Sequence, residues 1–509
     1  MFQRKENNSL YGVILSAMKH GELPEDFSLP RIGGENGIVW ADGARDGVTV
    51  YHMGLSEPGE EAKTLMADAV QAAAQSNCEQ ADELFCKLGE KARALSMIDV
   101  LQQYVIEHIG ELDLKALYIY ALHLITDSDD RECVKFGLSL LELFKPNGNV
   151  RVKDIVRTIG LSDEFTLFAI FVMQKWEDGN NEIWKLAKRV HGWGRVHAVE
   201  RIEPDTAEIR RWFLLEAVHN KVMDAYSALT CWEKSGAEAV LMVKPSREEY
   251  TGLRDIMNGL LDEGPTRGLS GIENKDAVMK AFLNTASQMP LDAEDYETIR
   301  GIRDYFKDAE SGASEIVDLC RKLLATEHCR AAVAEAVKEG KSIPLAKELG
   351  LDYRADVFAA MKSDFEKNNH LCRYLMADSE YRGAVLKLFR QKLPLSKMTT
   401  APTRASLGLG QDYWKQNALE LLMQELRQYP LEGLDFVETG LQSSPVRTRN
   451  GALSVLESWV SSQGNPLSDI LPGVSDLLCR LQKIEPDPEV KARMDRLIGG
   501  ATSFDTELP

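Results

Sequence analysis

Residues 180–232, NNEIWKLAKRVHGWGRVHAVERIEPDTAEIRRWFLLEAVHNKVMDAYSALTCW, constrain the fold more than any other stretch of the chain. Ile183, Trp184, Leu186, Ala187 and Val190 recur at helical spacing. Gly192 and Gly194 break that run, and Val196, Ala198, Val199 and Ile202 begin another that Pro204 stops. Asp205 or Thr206 then opens a third helix, with Ile209, Trp212, Phe213 and Ala217 on one side and Arg210, Arg211 and Glu216 on the other. Helices this short, apolar on both sides of the pair, cannot bury their own faces. They need similar pairs stacked on either side, which is the logic of an α-solenoid.

At 509 residues the chain exceeds the size at which one compact core stops growing, so it forms either several domains or one repeat array. Strand-like segments are almost confined to the first 55 residues, which favours the array. A hydrophobic content of 44% with 27% charged residues excludes wholesale disorder. The net charge of −19, from 79 acidic against 60 basic residues, opposes approach to phosphates and anionic membranes and argues against a nucleic-acid partner. The best apolar run, Phe165 to Met173, is about half the ~18 residues that a membrane span needs. The N-terminus reads as a first amphipathic helix and not a signal peptide, because Tyr11, Gly12 and Ser16 interrupt its apolar positions and no small-residue cleavage site follows. Eight scattered cysteines with no C-x-x-C fit a reducing compartment, and the expected location is cytoplasmic.

Four regions follow from the punctuation. Residues 1–59 hold the first helix and two β-rich runs, Ile38-Val39-Trp40 and Val48, Val50, Tyr51, Met53, separated by Asp42-Gly43-Ala44-Arg45-Asp46-Gly47; this pattern predicts a β-hairpin that caps the stack. Residues 60–392 form an irregular helical array with corners every 12 to 20 residues or so, the interval of two-helix repeats. Residues 393–411, rich in Pro, Gly, Ser and Thr, form a linker, and 412–509 a C-terminal block.

The C-terminal block carries the clearest repeat signature. Ser443-Ser444-Pro445-Val446 leads into the stripe Ala452, Leu453, Leu456, and Asp487-Pro488-Glu489-Val490 repeats the same start 43 residues after Pro445. On these residues the chain resembles HEAT-repeat, armadillo-type proteins, most clearly over 412–498 and more loosely over 77–393. The resemblance implies stacked helix pairs and no chemistry. The Gly192-Trp193-Gly194-Arg195 corner and the Asp42-Gly43, Asp46-Gly47-Val48, Tyr51-His52 segment also look like a group of bacterial HEAT-like proteins of undefined function, some labelled "limonene hydroxylase". Such a label implies haem, flavin or iron, and no corresponding motif is present.

One window stands out by charge. Between Lys185 and Arg201, five basic residues face the single acid Glu200. Trp184, Lys188, Arg189, His191, Trp193, Arg195, His197 and Arg201 are therefore the candidate residues for a partner or an anion. The bland reading packs the tryptophans between helices and leaves the bases on a solvated face. His191 and His197 lack a third close ligand, so no metal site is assigned; no catalytic residue and no cofactor is assigned either. Gly33-Gly34-Glu35-Asn36-Gly37 and Gly408-Leu409-Gly410 lack phosphate-binding continuations and read as turns. Clustered acids such as Asp127, Asp129 and Asp130 read as helix caps.

The sequence thus predicts a mainly α, irregular HEAT-like α-solenoid with a small N-terminal β-hairpin/α cap, serving as a non-enzymatic scaffold that binds a protein partner on its concave face. The alternative is an enzyme or a phosphate- or nucleic-acid-binding factor using residues 184–201. Partner identity and oligomeric state stay open.

Overall fold

The computed structural model describes residues 9–30, 40–145, 149–264, 266–307, 314–400, 402–403, 408 and 413–504. They divide into two compact units, one within 1–31, 40–290 and 301–320, the other within 291–300 and 321–509. Among these residues there is no strand, only an isolated bridge between Lys19 and Glu22.

The first unit begins with α1 (Leu10–Ala17), capped by Ser9, and a short α2 (Ala44–Val48) that runs into a π-helical turn, Thr49–Met53. Longer helices follow: α3 (Glu60–Ala74), α4 (Cys78–Lys91), α5 (Ala94–Glu107), α6 (Leu114–Asp127), α7 (Arg131–Leu141), α8 (Val150–Ile159) and α9 (Asp163–Met173). The series continues with α10 (Gly179–Ala187), α11 (Gly192–Arg201), α12 (Ala207–Leu215), α13 (Ala225–Ser235), α14 (Ala237–Met242), α15 (Arg247–Leu261) and α16 (Lys275–Ala286). Their starts are written in side chains. Asn77, Asp113, Asp130, Asn149 and Thr206 each accept a first-turn N–H, and Ser246 and Glu249 form a reciprocal capping box.

Packing follows chain order. Helices pair as α6 with α7, α8 with α9, α10 with α11 and α12 with α13, while α5, α7, α9, α11, α13 and α15 touch one after another in a continuous row. This is the nearest-neighbour order of helical repeats. It explains why α9 is apolar nearly all round: with α7 and α11 beside it and α8 and α10 behind, Phe165, Leu167, Phe168, Ala169, Ile170, Val172 and Met173 are all buried.

The predicted hairpin is not formed. Ile38 and Val39 lie outside the described residues, and the second run, Val48 to Met53, is helical. Its β-branched residues are overruled by docking onto the helix row, described below. Between α15 and α16, Leu269 sits in a 3₁₀ turn and is fully buried.

In the second unit, helix Val446–Gln463 packs on Trp414–Leu426, Leu434–Leu441 and Pro488–Ile498. A polar cap followed by an early helical proline is found at one of the two starts: Pro488 is the first residue of its helix, capped by Asp487, whereas Pro445 is itself the cap residue of the other helix and no side chain caps that start. Arg449, completely buried, pairs with the equally buried Glu485 at 2.7 Å, and Trp459 Nε1 donates to the Leu426 carbonyl at 2.8 Å. Of the expected linker, residues 395–398 form a helical turn, and 401, 404–407 and 409–411 lie outside the described residues.

Candidate functional site

Residues 40–53 are laid as a strap across the first turns of the helix row. Two glycines make this approach feasible. Gly43 has φ +70° and sits against the Asp163 backbone, so that a Cβ there would lie 2.5 Å from the Asp163 carbonyl oxygen; a Cβ on Gly47 would fall inside the Trp193 ring. Asp42, Gly43, Asp46, Gly47 and Tyr51 follow each other at intervals that bring them to one side of a helical turn. That side faces the row.

The charges of the strap meet a buried network. Lys135 of α7, fully buried, places Nζ 2.6 Å from Asp46 Oδ2, 2.6 Å from Glu164 Oε1 and 3.3 Å from Glu132 Oε1. Arg93, just before α5, pairs with Asp46 at 2.6 Å and Glu132 at 3.1 Å. Arg131 pairs with Asp42 at 3.0 Å and Glu164 at 3.1 Å, and donates to the Pro30 carbonyl. Backbone N–H groups finish the shell: Gly43 donates to Glu164, Leu29 to Asp42 and Ala94 to Glu132. Four carboxylates (Asp42, Asp46, Glu132, Glu164) thus share three cations (Arg93, Arg131, Lys135).

Burial raises the cost of every charge here, and the partners decide which groups keep theirs. For Asp46, burial is outweighed by Lys135 and Arg93 and the carboxyl is held below its ordinary value; Glu164 is held down likewise, chiefly by Lys135 and Arg131 against burial. Asp42 is pushed up, because burial there exceeds the help of the Leu29 N–H and Arg131. Asp163 has no cation beside it among the described residues. Burial, reinforced by Asp42, pushes its carboxyl well above the ordinary range while it accepts from the Gly194 N–H.

Beyond the network the strap ends in an aromatic cluster. Tyr51 lies 5.7 Å from Trp193, 5.9 Å from His197 and 5.2 Å from Tyr226, centroid to centroid, and donates its hydroxyl to Glu200; His52 Nε2 meets the Tyr226 hydroxyl at 2.5 Å. His197 is 1% exposed, and neither ring nitrogen has a partner among the described residues. Burial pushes its pKa down to about 3.

The eight candidate residues of the basic window do not share one exposed face. Trp184, Trp193, Arg195 and His197 are buried, Arg189, His191 and Arg201 half-buried, and Lys188 alone exposed, its ammonium 3.6 Å from the Trp184 ring centre. Arg195 donates to the Glu216 carbonyl at 2.6 Å, and Arg201 to the His197 carbonyl and the Glu200 carboxylate. Burial pulls Arg195 below its ordinary pKa, and burial followed by Lys221 does the same to His191. Trp193 and His197 are brought together, but under the strap. Arg189 goes elsewhere: with Arg157, Lys185, Met173, Glu182 and Leu186 it lines a hollow of about 200 Å³. Arg157, Lys185 and Glu182 pair within it, whereas Arg189 makes no ion pair among the described residues.

A larger groove, about 570 Å³, opens between α3 and α5, lined by Lys63, Met66, Asp99, Val100, Gln103, Tyr104 and Glu107. Met66, Val100 and Tyr104 form its floor, and Ile106, three residues on from Gln103, is 54% exposed. Tyr104 is fixed by a hydrogen bond from Gln71 and by stacking on His108. Lys63 is taken up by Glu60. Among the described residues no group of three or more His, Cys, Asp or Glu is placed to hold a metal ion, and no helix is long and apolar enough to cross a membrane.

No protein-family model and no curated protein matches the chain. Among solved structures it is similar to a "Circular tandem repeat protein with novel repeat topology and enhanced subunit contact surfaces", at 15% identity over 86% of this chain and 94% of that one, with a TM-score of 0.11. That score is too low to bear on fold or function. The HEAT-like group and the "limonene hydroxylase" label find no support in these comparisons.

Proposed function

We propose that the chain is a non-enzymatic scaffold that binds a protein partner along its helix stack, with the groove between α3 and α5 as the docking place. The observation carrying this reading is the composition of that groove. Its apolar floor of Met66, Val100 and Tyr104 is bordered by Asp99 and Glu107, while Lys63 is already neutralised by Glu60. Helix-in-groove recognition needs an apolar strip for anchors at i, i+3, i+4 and i+7 spacing and a rim of opposite charge. An acidic rim on a chain of net charge −19 selects a basic amphipathic segment. The first turns of the row offer less room, because the strap and its aromatic cluster already occupy them.

The test is co-purification with a Val100→Glu variant, which places a charge on the groove floor at a half-buried site. Loss of a partner that the wild type retains, with helicity unchanged, supports the reading; equal recovery rejects it.

A second reading rests on the hollow at Arg157, Lys185 and Arg189, where three cations face one carboxylate. It favours a small oxyanion, bound through the unpaired guanidinium of Arg189. A phosphate-dependent rise in melting temperature that disappears in Arg189→Gln supports it, and a rise equal in both proteins rejects it.

A further inference from the structure

The Cys86 and Cys133 sulfurs lie 3.6 Å apart across the contact between α4 and α7. A disulfide needs about 2.05 Å between the sulfurs, so a gap of ~1.5 Å must close for the bond to form. The two thiols differ in access: Cys86 is exposed, whereas Cys133 is 1% exposed and lies in the first turn of α7, its N–H capped by Asp130. The other described cysteines lack such a neighbour. We propose that Cys86 and Cys133 form a reversible redox pair, with Cys86 as the attacking thiol, Cys133 as the resolving thiol, and neutral or cationic small disulfides as the oxidants.

The chemistry balances as an exchange. The Cys86 thiol loses its proton to solvent, and the thiolate attacks one sulfur of a small disulfide RSSR; an S–S bond forms to Cys86 and the first RS⁻ leaves. Cys133 then loses its proton and attacks the Cys86 sulfur, forming the Cys86–Cys133 bond and expelling the second RS⁻. Two protein thiols are oxidised, RSSR is reduced to two RSH once the protons are taken up, and excess small thiol runs the sequence backwards. The electrostatics agree with the order of attack. Cys86 is held below the ordinary thiol pKa by the hydrogen bond from Cys133, against burial and the nearby carboxylates; Cys133 is raised by that same bond and by burial. The preference among oxidants comes from Asp129 and Asp130, whose charges act on Cys86 and repel an anionic disulfide, whereas the nearby Asp82 is paired with His123. The bond would tie α4 to the helix that carries Arg131, Glu132 and Lys135 of the strap network.

The full-length protein is incubated with cystamine, a cationic disulfide, or with glutathione disulfide, an anionic one. Free thiols are blocked with N-ethylmaleimide and peptides are mapped by mass spectrometry. The proposal expects a Cys86–Cys133 linked peptide that dithiothreitol removes, formed several-fold faster with cystamine at low salt, the difference shrinking as salt is added. In Cys133→Ser a mixed disulfide accumulates on Cys86; in Cys86→Ser, Cys133 stays unmodified. A wild-type protein that retains a mixed disulfide on Cys86 without the internal link overturns the pairing, and this result needs no variant to fold. Equal rates with the two disulfides overturn the oxidant class.

Discussion

Lys135 Nζ lies 2.6 Å from Asp46 Oδ2, joining residues 89 apart in the chain inside a site where the lysine is fully buried. One contact of this kind does not by itself stabilise a fold, since desolvating both charges costs about what their attraction returns. Removing one partner is a different matter, because the other is left charged and dry. Lys135→Met leaves Asp46, Glu132 and Glu164 short of a cation, and the expected loss is about 3–5 kcal/mol in urea unfolding. Adding Asp46→Asn to it should recover part of that loss, whereas two independent losses that simply add would show that the two residues are not coupled.

Gly47→Ala drives a methyl group into the Trp193 ring, so the strap must lift or the indole must turn. Gly59→Ala is the control, since no atom lies within 4 Å of its added Cβ and its φ is −70°. Limited proteolysis should cut Gly47→Ala between residues 40 and 59 at least ten times faster than wild type, with Gly59→Ala unchanged, in line with a local opening eased by about 1.4 kcal/mol or more.

Two histidines give opposite pH signatures. Hydrogen bonding to Asp82, against burial and then aided by Asp127, raises His123 from 6.5 to about 9. Its folded-state pKa is raised, so its contribution is complete below pH 6.5 and is lost as pH rises through about 9. His123→Gln should therefore be less stable than wild type at pH 6 and approach it above pH 9 in thermal melts. His197 is pushed down to about 3 by burial. The unfolded chain takes up its proton below pH 6.5 and the folded chain does not, so stability falls between pH 6.5 and 3. His197→Phe should flatten that part of the acid limb; an unchanged slope would mean that the ring is hydrated.

In the second unit, Glu485→Gln removes the charge opposite the fully buried Arg449, whose other bonds run to the Ser443, Ser444 and Thr403 carbonyls. The expected cost is about 3 kcal/mol or more, seen as faster amide exchange over residues 443–450.

The helix pairs were legible because their apolar residues recur every three or four positions and their corners carry Pro, Gly or a capping side chain, as at Asn77, Asp113 and Pro488. The strap was misread for a definite reason. Val48, Val50 and Tyr51 carry β propensity, but Asp42 with Asp46, and Gly43 with Gly47 and Tyr51, recur every four residues. That helical period was the stronger signal, and it lay in polar and glycine positions and not in the apolar ones. The partners Arg93, Arg131, Lys135 and Glu164 carry no local mark. They look like surface charges until the fold brings them to one point from three separate segments, the start of α5, α7 and α9. The basic window was misleading in the opposite sense: its spacing was right for helices, and those same helices turn Trp193, Arg195 and His197 inward.

The most direct measurement of the proposed scaffold role is site-specific crosslinking in cells. A photo-reactive benzoylphenylalanine replaces the exposed Gln103 at the groove rim or, as control, the exposed Glu208 on α12. The account predicts a discrete adduct from position 103 and none from 208, with the captured peptide basic and amphipathic at helical spacing. The same adducts from both positions, none from 103, or a captured segment without that pattern would contradict it.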